Sequence, residues 1–139
     1  MALCIPEIFE SQTGNAAILN QDGTVNGPDH LAHIGDTVAM FVSGVGQTTP
    51  PGVDGEIPQT AGGTPVLPIM VQVSTAGIGP YANVTYAGNA PGLVSGVTQV
   101  NFQMPSVNLV GAAPPYFAMI VLYAGGANTS MAVPFIWFE

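Results

Sequence analysis

Lysine and arginine are absent from all 139 residues. Charged residues make up 6% of the chain, all of them acidic, for a formal charge of −8, where an ordinary domain is about a quarter charged. Nucleic acid is therefore not an expected partner, because neutralising phosphates requires cations. Attraction to anionic membrane surfaces is disfavoured for the same reason. Stability has to come from burial and backbone hydrogen bonding rather than from ion pairs with Lys or Arg. The acidic charge favours solubility near neutral pH, and that effect weakens toward the pI of about 4.1.

Cysteine is nearly absent. Cys4 is single, which excludes an internal disulfide. It fits neither a zinc site nor a lipobox, since Leu3 stands where a lipobox wants a small residue; an interchain disulfide and a free or buried thiol stay open. No hydrophobic run is long enough to span a bilayer, so membrane insertion is not expected. No signal peptide is recognisable either, which reads as an excised domain or a processed chain. Sustained helical periodicity is missing, the nearest candidate, 28–34, being too short. Catalytic motifs are missing too: there is no Ser-His-Asp grouping in context, no glycine-rich phosphate loop before a helix and no metal cluster. Asp54 and Glu56 lie in the long irregular stretch 44–63 with no His, Ser or Lys to complete an acid/base pair. No catalytic or cofactor-binding residue is expected, and the chain does not read as an enzyme.

What the sequence has is aliphatic and aromatic residues, 47% in all, with 18 Gly and 13 Pro. That mixture suits short strands joined by tight turns. Residues 3–9 read as an edge strand broken by Pro6. Residues 16–19 and 24–25 flank Asn20-Gln21-Asp22-Gly23, a hairpin signal. Strands follow at 36–43, 65–74, 81–86, 97–104, 116–123 and 131–138. In 97–104, Thr98, Val100, Phe102 and Met104 share one face; Val97, Gln99, Asn101 and Gln103 share the other, a period of two with one apolar side. The polar side carries amides rather than charges, and reads as a solvated face or a glycan-contacting one. These features predict a single all-β domain over residues 1–139, an antiparallel β-sandwich of roughly eight to ten short strands.

The stretch AGNAPGLVSGVTQVNFQMP resembles the signature of the Solibacter-type uncharacterised C-terminal domain family. NAAILNQDGTVN from Asn15, VSGVGQTTPPGVDG from Val42 and PVLPIMVQV from Pro65 fit the same family in order, so the resemblance spans about residues 6–129. It implies an Ig-like topology related to IPT/TIG modules, a place at the end of a large secreted bacterial protein, and an extracellular or cell-surface location. It carries over no activity and no catalytic residue. The aromatic ending PFIWFE departs from the plain final strand of the family.

Two sets of residues invite a functional reading. Asn20, Asp22, Asn26 and Asp29 bring oxygen donors together, but without the EF-hand spacing or its final glutamate; they read as turn residues, with calcium as the alternative. His30 and His33 alone do not make a metal site. The second set is at the ends. Phe135 and Trp137 point one way in the last strand, Ile136 and Phe138 the other, and a strand apolar on both sides wants cover on both. That cover comes either from the same subunit or, by strand addition, from another chain. Leu3, Ile5, Ile8, Phe9, Phe135, Ile136, Trp137 and Phe138 are the self-association candidates. The expected role is a non-enzymatic extracellular structural or adhesive module, self-associating through its terminal strands into an oligomer or surface filament, or binding other surface proteins. The alternative is a carbohydrate-binding module of a larger secreted protein, using Tyr81, Tyr86, Tyr116, Tyr123 or Trp137 on glycans.

Overall fold

A computed structural model describes residues 7–12, 14–43, 48–49, 64–65, 69–74, 79–93, 97–107, 116–124, 127–128 and 134–139. These hold the strands β1 (Glu7–Ile8), β2 (Glu10–Gln12), β3 (Asn15–Ala16), β4 (Ile18–Leu19), β5 (Thr37–Ser43), β6 (Thr48–Thr49), β7 (Thr64–Pro65), β8 (Ile69–Ser74), β9 (Asn83–Asn89), β10 (Thr98–Gln103), β11 (Tyr116–Ala124), β12 (Ala127–Asn128) and β13 (Phe135–Phe138), and no helix.

Two sheets face each other. One runs β1-β5-β10-β9, with β4 also on β5; the other runs β12-β11-β13-β3-β2, with β8 also on β11. The longer strands β5, β9 and β10 thus lie in one layer and β8, β11 and β13 in the other. This is the two-layer arrangement of a β-sandwich. Alternation explains the layers. Val38, Met40, Val42, Val100 and Phe102 project from one sheet and Val71, Val73, Ala118, Ile120, Leu122, Ile136 and Phe138 from the other, into one buried cluster. Truncating a ring such as Phe102 to alanine there costs about 3–5 kcal/mol.

Three departures from the sequence expectations matter for the site. The strand predicted at 81–86 instead runs Asn83–Asn89, into what reads as turn sequence. A bulge shifts the β9–β10 register between Asn101↔Tyr86 and Phe102↔Val84. One inserted residue reverses the faces beyond it, so Ala87 packs against the core and Tyr86 lies outward, half-buried.

The N-terminal segment also divides between sheets. Ile8↔Val42 and Ile18↔Met40 pair on β5, while Asn15 reaches across to pair with Phe135. Phe9 and Ala17 close the excursion: Phe9 N–H donates to Phe41 O, Ala17 N–H to Phe9 O and Phe41 N–H to Ala17 O. The β3–β13 pairing is parallel, an exception to the antiparallel expectation.

Most consequentially, β13 is not a sheet edge. It sits between β11 and β3. Its backbone on the β3 side is engaged by its own chain: Phe135 N–H donates to Gly14 O, Ala32 N–H to Trp137 O, and Glu139 N–H to Ala32 O. Gly14 takes a left-handed φ of 87° to present that carbonyl.

Candidate functional site

With the edge of β13 filled, what remains open is its outward face and the surface around it. The same alternation that sends Ile120 and Leu122 inward sends Phe117, Met119, Val121 and Tyr123 outward from β11. Cross-strand register sets their neighbours. Phe117 opposes Trp137 and Met119 opposes Phe135 on β13; Val121 opposes Gln72 and Tyr123 opposes Met70 on β8. An isolated bridge from Gln72 adds Tyr81.

The rings gather at two ends of this face. Phe117 meets Phe135 edge-on, with centroids 5.1 Å apart, and Trp137 at 5.4 Å. Tyr81 meets Tyr123 at 6.0 Å. From Phe117 to Tyr123 the strand rises about 20 Å. Phe117 and Tyr81 are each 54% exposed and Met70 45%. The face is rigidly held as well as apolar. Trp137 Nε1 donates to Asn15 Oδ1 at 2.8 Å, Tyr123 Oη to Gln72 Oε1 at 3.1 Å, and Gln72 Nε2 to Gly79 O at 3.0 Å. No residue of β8, β11 or β13 is charged. A contiguous apolar sheet face of this kind is characteristic of protein interaction surfaces.

Of the predicted self-association residues, Phe135 and Trp137 lie on this face, half-buried. Ile8, Ile136 and Phe138 do not: at 6%, 0% and 0% exposure they are core residues, and as such they cannot meet a second chain. Phe9, 38% exposed, lies in the link between β1 and β2, its N–H bonded to Phe41 O of the other sheet. Leu3 and Ile5 lie outside the described residues, as does Cys4. Phe117, with Tyr81 the most exposed ring of the face, is not among the predicted contact residues. Its signal was the near-continuous apolar run 116–123, which puts large side chains on both sides of a strand.

The calcium candidates separate by burial. Asn20 and Asn26 are 6% and 2% exposed and their oxygens are engaged. Asn26 Nδ2 donates to Asn20 Oδ1 at 2.9 Å, and Trp137 N–H donates to Asn26 Oδ1 at 2.8 Å. Asn20 Nδ2 reaches Thr24 Oγ1 and His30 O. Asp22 forms an Asx turn, its Oδ1 accepting from Thr24 N–H at 3.0 Å and Thr24 Oγ1 at 2.6 Å; those bonds, the side-chain one first, hold its carboxyl below the ordinary 3.8. Asp29 is exposed on the 27–30 turn. The four residues thus build and cap a turn rather than converge on one point. Among the described residues no three His, Cys, Asp or Glu side chains gather at a metal-binding distance.

His30 is exposed, and His33 Nδ1 lies 3.2 Å from Glu139 Oε1 at the surface, a pair of small energetic value. Asp54 and Glu56 are outside the described residues. A shallow groove of about 420 Å3, lined by Ser11, Asn15, Val25, Asn26 and the 27–30 turn, opens beside Asn15. Its Asn15 and Asn26 oxygens are bonded to Trp137.

Comparison of the chain with family models, with characterised proteins and with solved structures found no match.

Proposed function

We propose that this chain is a non-enzymatic structural or adhesive module that pairs with a second copy of itself, face to face, through the outer side of β8, β11 and β13. One observation carries the reading: Phe117 stands half exposed beside Phe135 and Trp137 on an uncharged, largely apolar face, on a chain whose charge is −8. Two copies of so acidic a chain repel wherever carboxylates face each other. This face lets them meet without opposed charges while removing apolar area from water, at about 25 cal/mol per Å2. Trp137 and Tyr123, already fixed by hydrogen bonds, lose little freedom on binding.

The proposal moves the contact from strand edges to a sheet face. A single face meeting itself about a two-fold axis closes as a dimer; a filament would require a second surface. The extracellular setting is part of the same proposal and is supported by the resemblance to terminal domains of secreted bacterial proteins. The test is a concentration series by light scattering after size exclusion. The native chain is expected to pass from 14.1 kDa to twice that mass, and Phe117→Ser to stay at the lower value. A native chain that stays monomeric at millimolar concentration would sink the reading.

A further inference from the structure

The other outer face is built from different chemistry. On β10, Gln99 and Asn101 point outward, two residues apart, and Gln99 Nε2 donates to Asn101 Oδ1 at 2.9 Å. That bond leaves Gln99 Oε1 as an acceptor and Asn101 Nδ2 as a donor, neither with another partner among the described residues. Cross-strand register sets rings beside them. Gln99 opposes Phe41 of β5, and Asn101 opposes Tyr86 of β9. On its β9 side Gln99 opposes Gly88, which is buried.

Tyr86 is outward because of the β9 bulge, and its hydroxyl donates to Asn89 O at 2.7 Å. A hydroxyl tied three residues along its own strand lays the ring along the sheet rather than letting it stand off. Phe41 and Tyr86 are separated by about 10 Å across the strands and about 7 Å along them, the span of a short oligosaccharide. No residue of β5, β9 or β10 is charged.

We infer that this face is a binding site for neutral polysaccharide. Sugar rings have apolar C–H faces that stack on aromatic rings, and rims of hydroxyls that both donate and accept. The unspent Gln99 acceptor and Asn101 donor meet one such rim, and Phe41 and Tyr86 flank it with apolar surface. Neutrality follows from the setting: an anionic glycan would be repelled by the −8 chain, and a cationic ligand finds no carboxylate on these strands. The site is on the opposite sheet from the proposed self-association face, so the two readings stand or fall separately.

The test is co-sedimentation with insoluble cellulose, chitin, xylan and β-1,3-glucan, followed by amide NMR shifts with soluble fragments of whichever polysaccharide binds. The expected result is binding to at least one, insensitive to added salt, weakened at least tenfold by Asn101→Ala and Gln99→Ala and unchanged by Phe117→Ser. Both amide variants alter outward side chains, and their fold is checked by unchanged thermal unfolding. No binding to any of the four, or binding that Asn101→Ala leaves intact, would overturn the inference.

Discussion

Asn26 stands in for a neighbouring strand beside Trp137. Its Oδ1 accepts from the Trp137 N–H at 2.8 Å and its Nδ2 donates to the Trp137 carbonyl at 2.7 Å, across 111 positions of sequence. One side-chain amide thus satisfies both backbone groups of a residue in the last strand, as a ladder partner would.

Replacing Asn26 by alanine is expected to destabilise the fold by about 3 kcal/mol. The Trp137 N–H loses its acceptor and Asn20 Oδ1 its donor, and each buried group left unpaired costs about 1–3 kcal/mol. Urea unfolding of the variant measures it. A loss below about 1 kcal/mol would mean that water replaces the amide.

Phe117→Ser should weaken association at a moderate cost in stability. The ring is 54% exposed, so its removal forfeits little beyond its edge contacts with Phe135 and Trp137, about 0.5–1.5 kcal/mol each. As an exposed aromatic anchor of the interface its loss should weaken dimerisation by about 2 kcal/mol, roughly thirtyfold in dissociation constant, read by sedimentation equilibrium.

Gly79→Ala should prevent folding or destabilise it severely. A Cβ at this position would run into the Val73 carbonyl and the Ser74 Cα. Those are backbone atoms of a strand paired along its length with β11 and cannot give way as a flexible side chain would. A thermal midpoint within a few degrees of the native one would contradict the close approach.

Acid should promote association before it loosens the 20–26 turn. Most exposed carboxylates protonate near pH 4, which removes the mutual repulsion of two copies. Asp22 behaves differently. Its carboxyl is held below 3.8 by the Thr24 bonds, so their contribution is present above the unfolded pKa and is lost as pH falls through the lowered folded one. Light scattering should therefore rise between neutral pH and the pI of about 4.1, while the Thr24 amide resonance follows Asp22 and moves at lower pH than an unperturbed aspartate would dictate.

Calcium at millimolar concentration should leave the thermal midpoint where EDTA leaves it. Asn20 has its oxygen committed to Asn26 and Asn26 has its own committed to Trp137, and Asp22 has one oxygen committed to Thr24. A rise of several degrees would show that the turn rearranges around the ion.

Which parts of this were legible in the sequence follows from how local each signal is. The alternation of 97–104 named Thr98, Val100, Phe102 and Met104 as one face, and all four are buried, because a period of two survives whatever the strand pairs with. The outward position of Tyr86 was not legible: one inserted residue at the bulge is defined only against β10. The excursion of 10–16 between sheets was hidden for the same reason, since Asn15 finds Phe135 across the whole chain. Asn26 read as a turn asparagine, and its bond to Trp137 has no local sign. The exposed aromatic face was half visible. The apolar doubling of the last strand announced that two faces needed cover, but not that Ile136 and Phe138 would be covered by the opposite sheet and Phe135 and Trp137 left facing out.

The parallel contact between β3 and β13 has a mechanical meaning. These strands come from opposite ends of the chain and run the same way, so tension applied at the two ends pulls them past one another along their length. The Gly14–Phe135 bond, the Asn26–Trp137 pair and the two Ala32 bonds are then loaded together in shear instead of opening one after another. A domain held at both ends would resist stretching through this clasp, with the load borne by a turn asparagine as much as by the ladder itself.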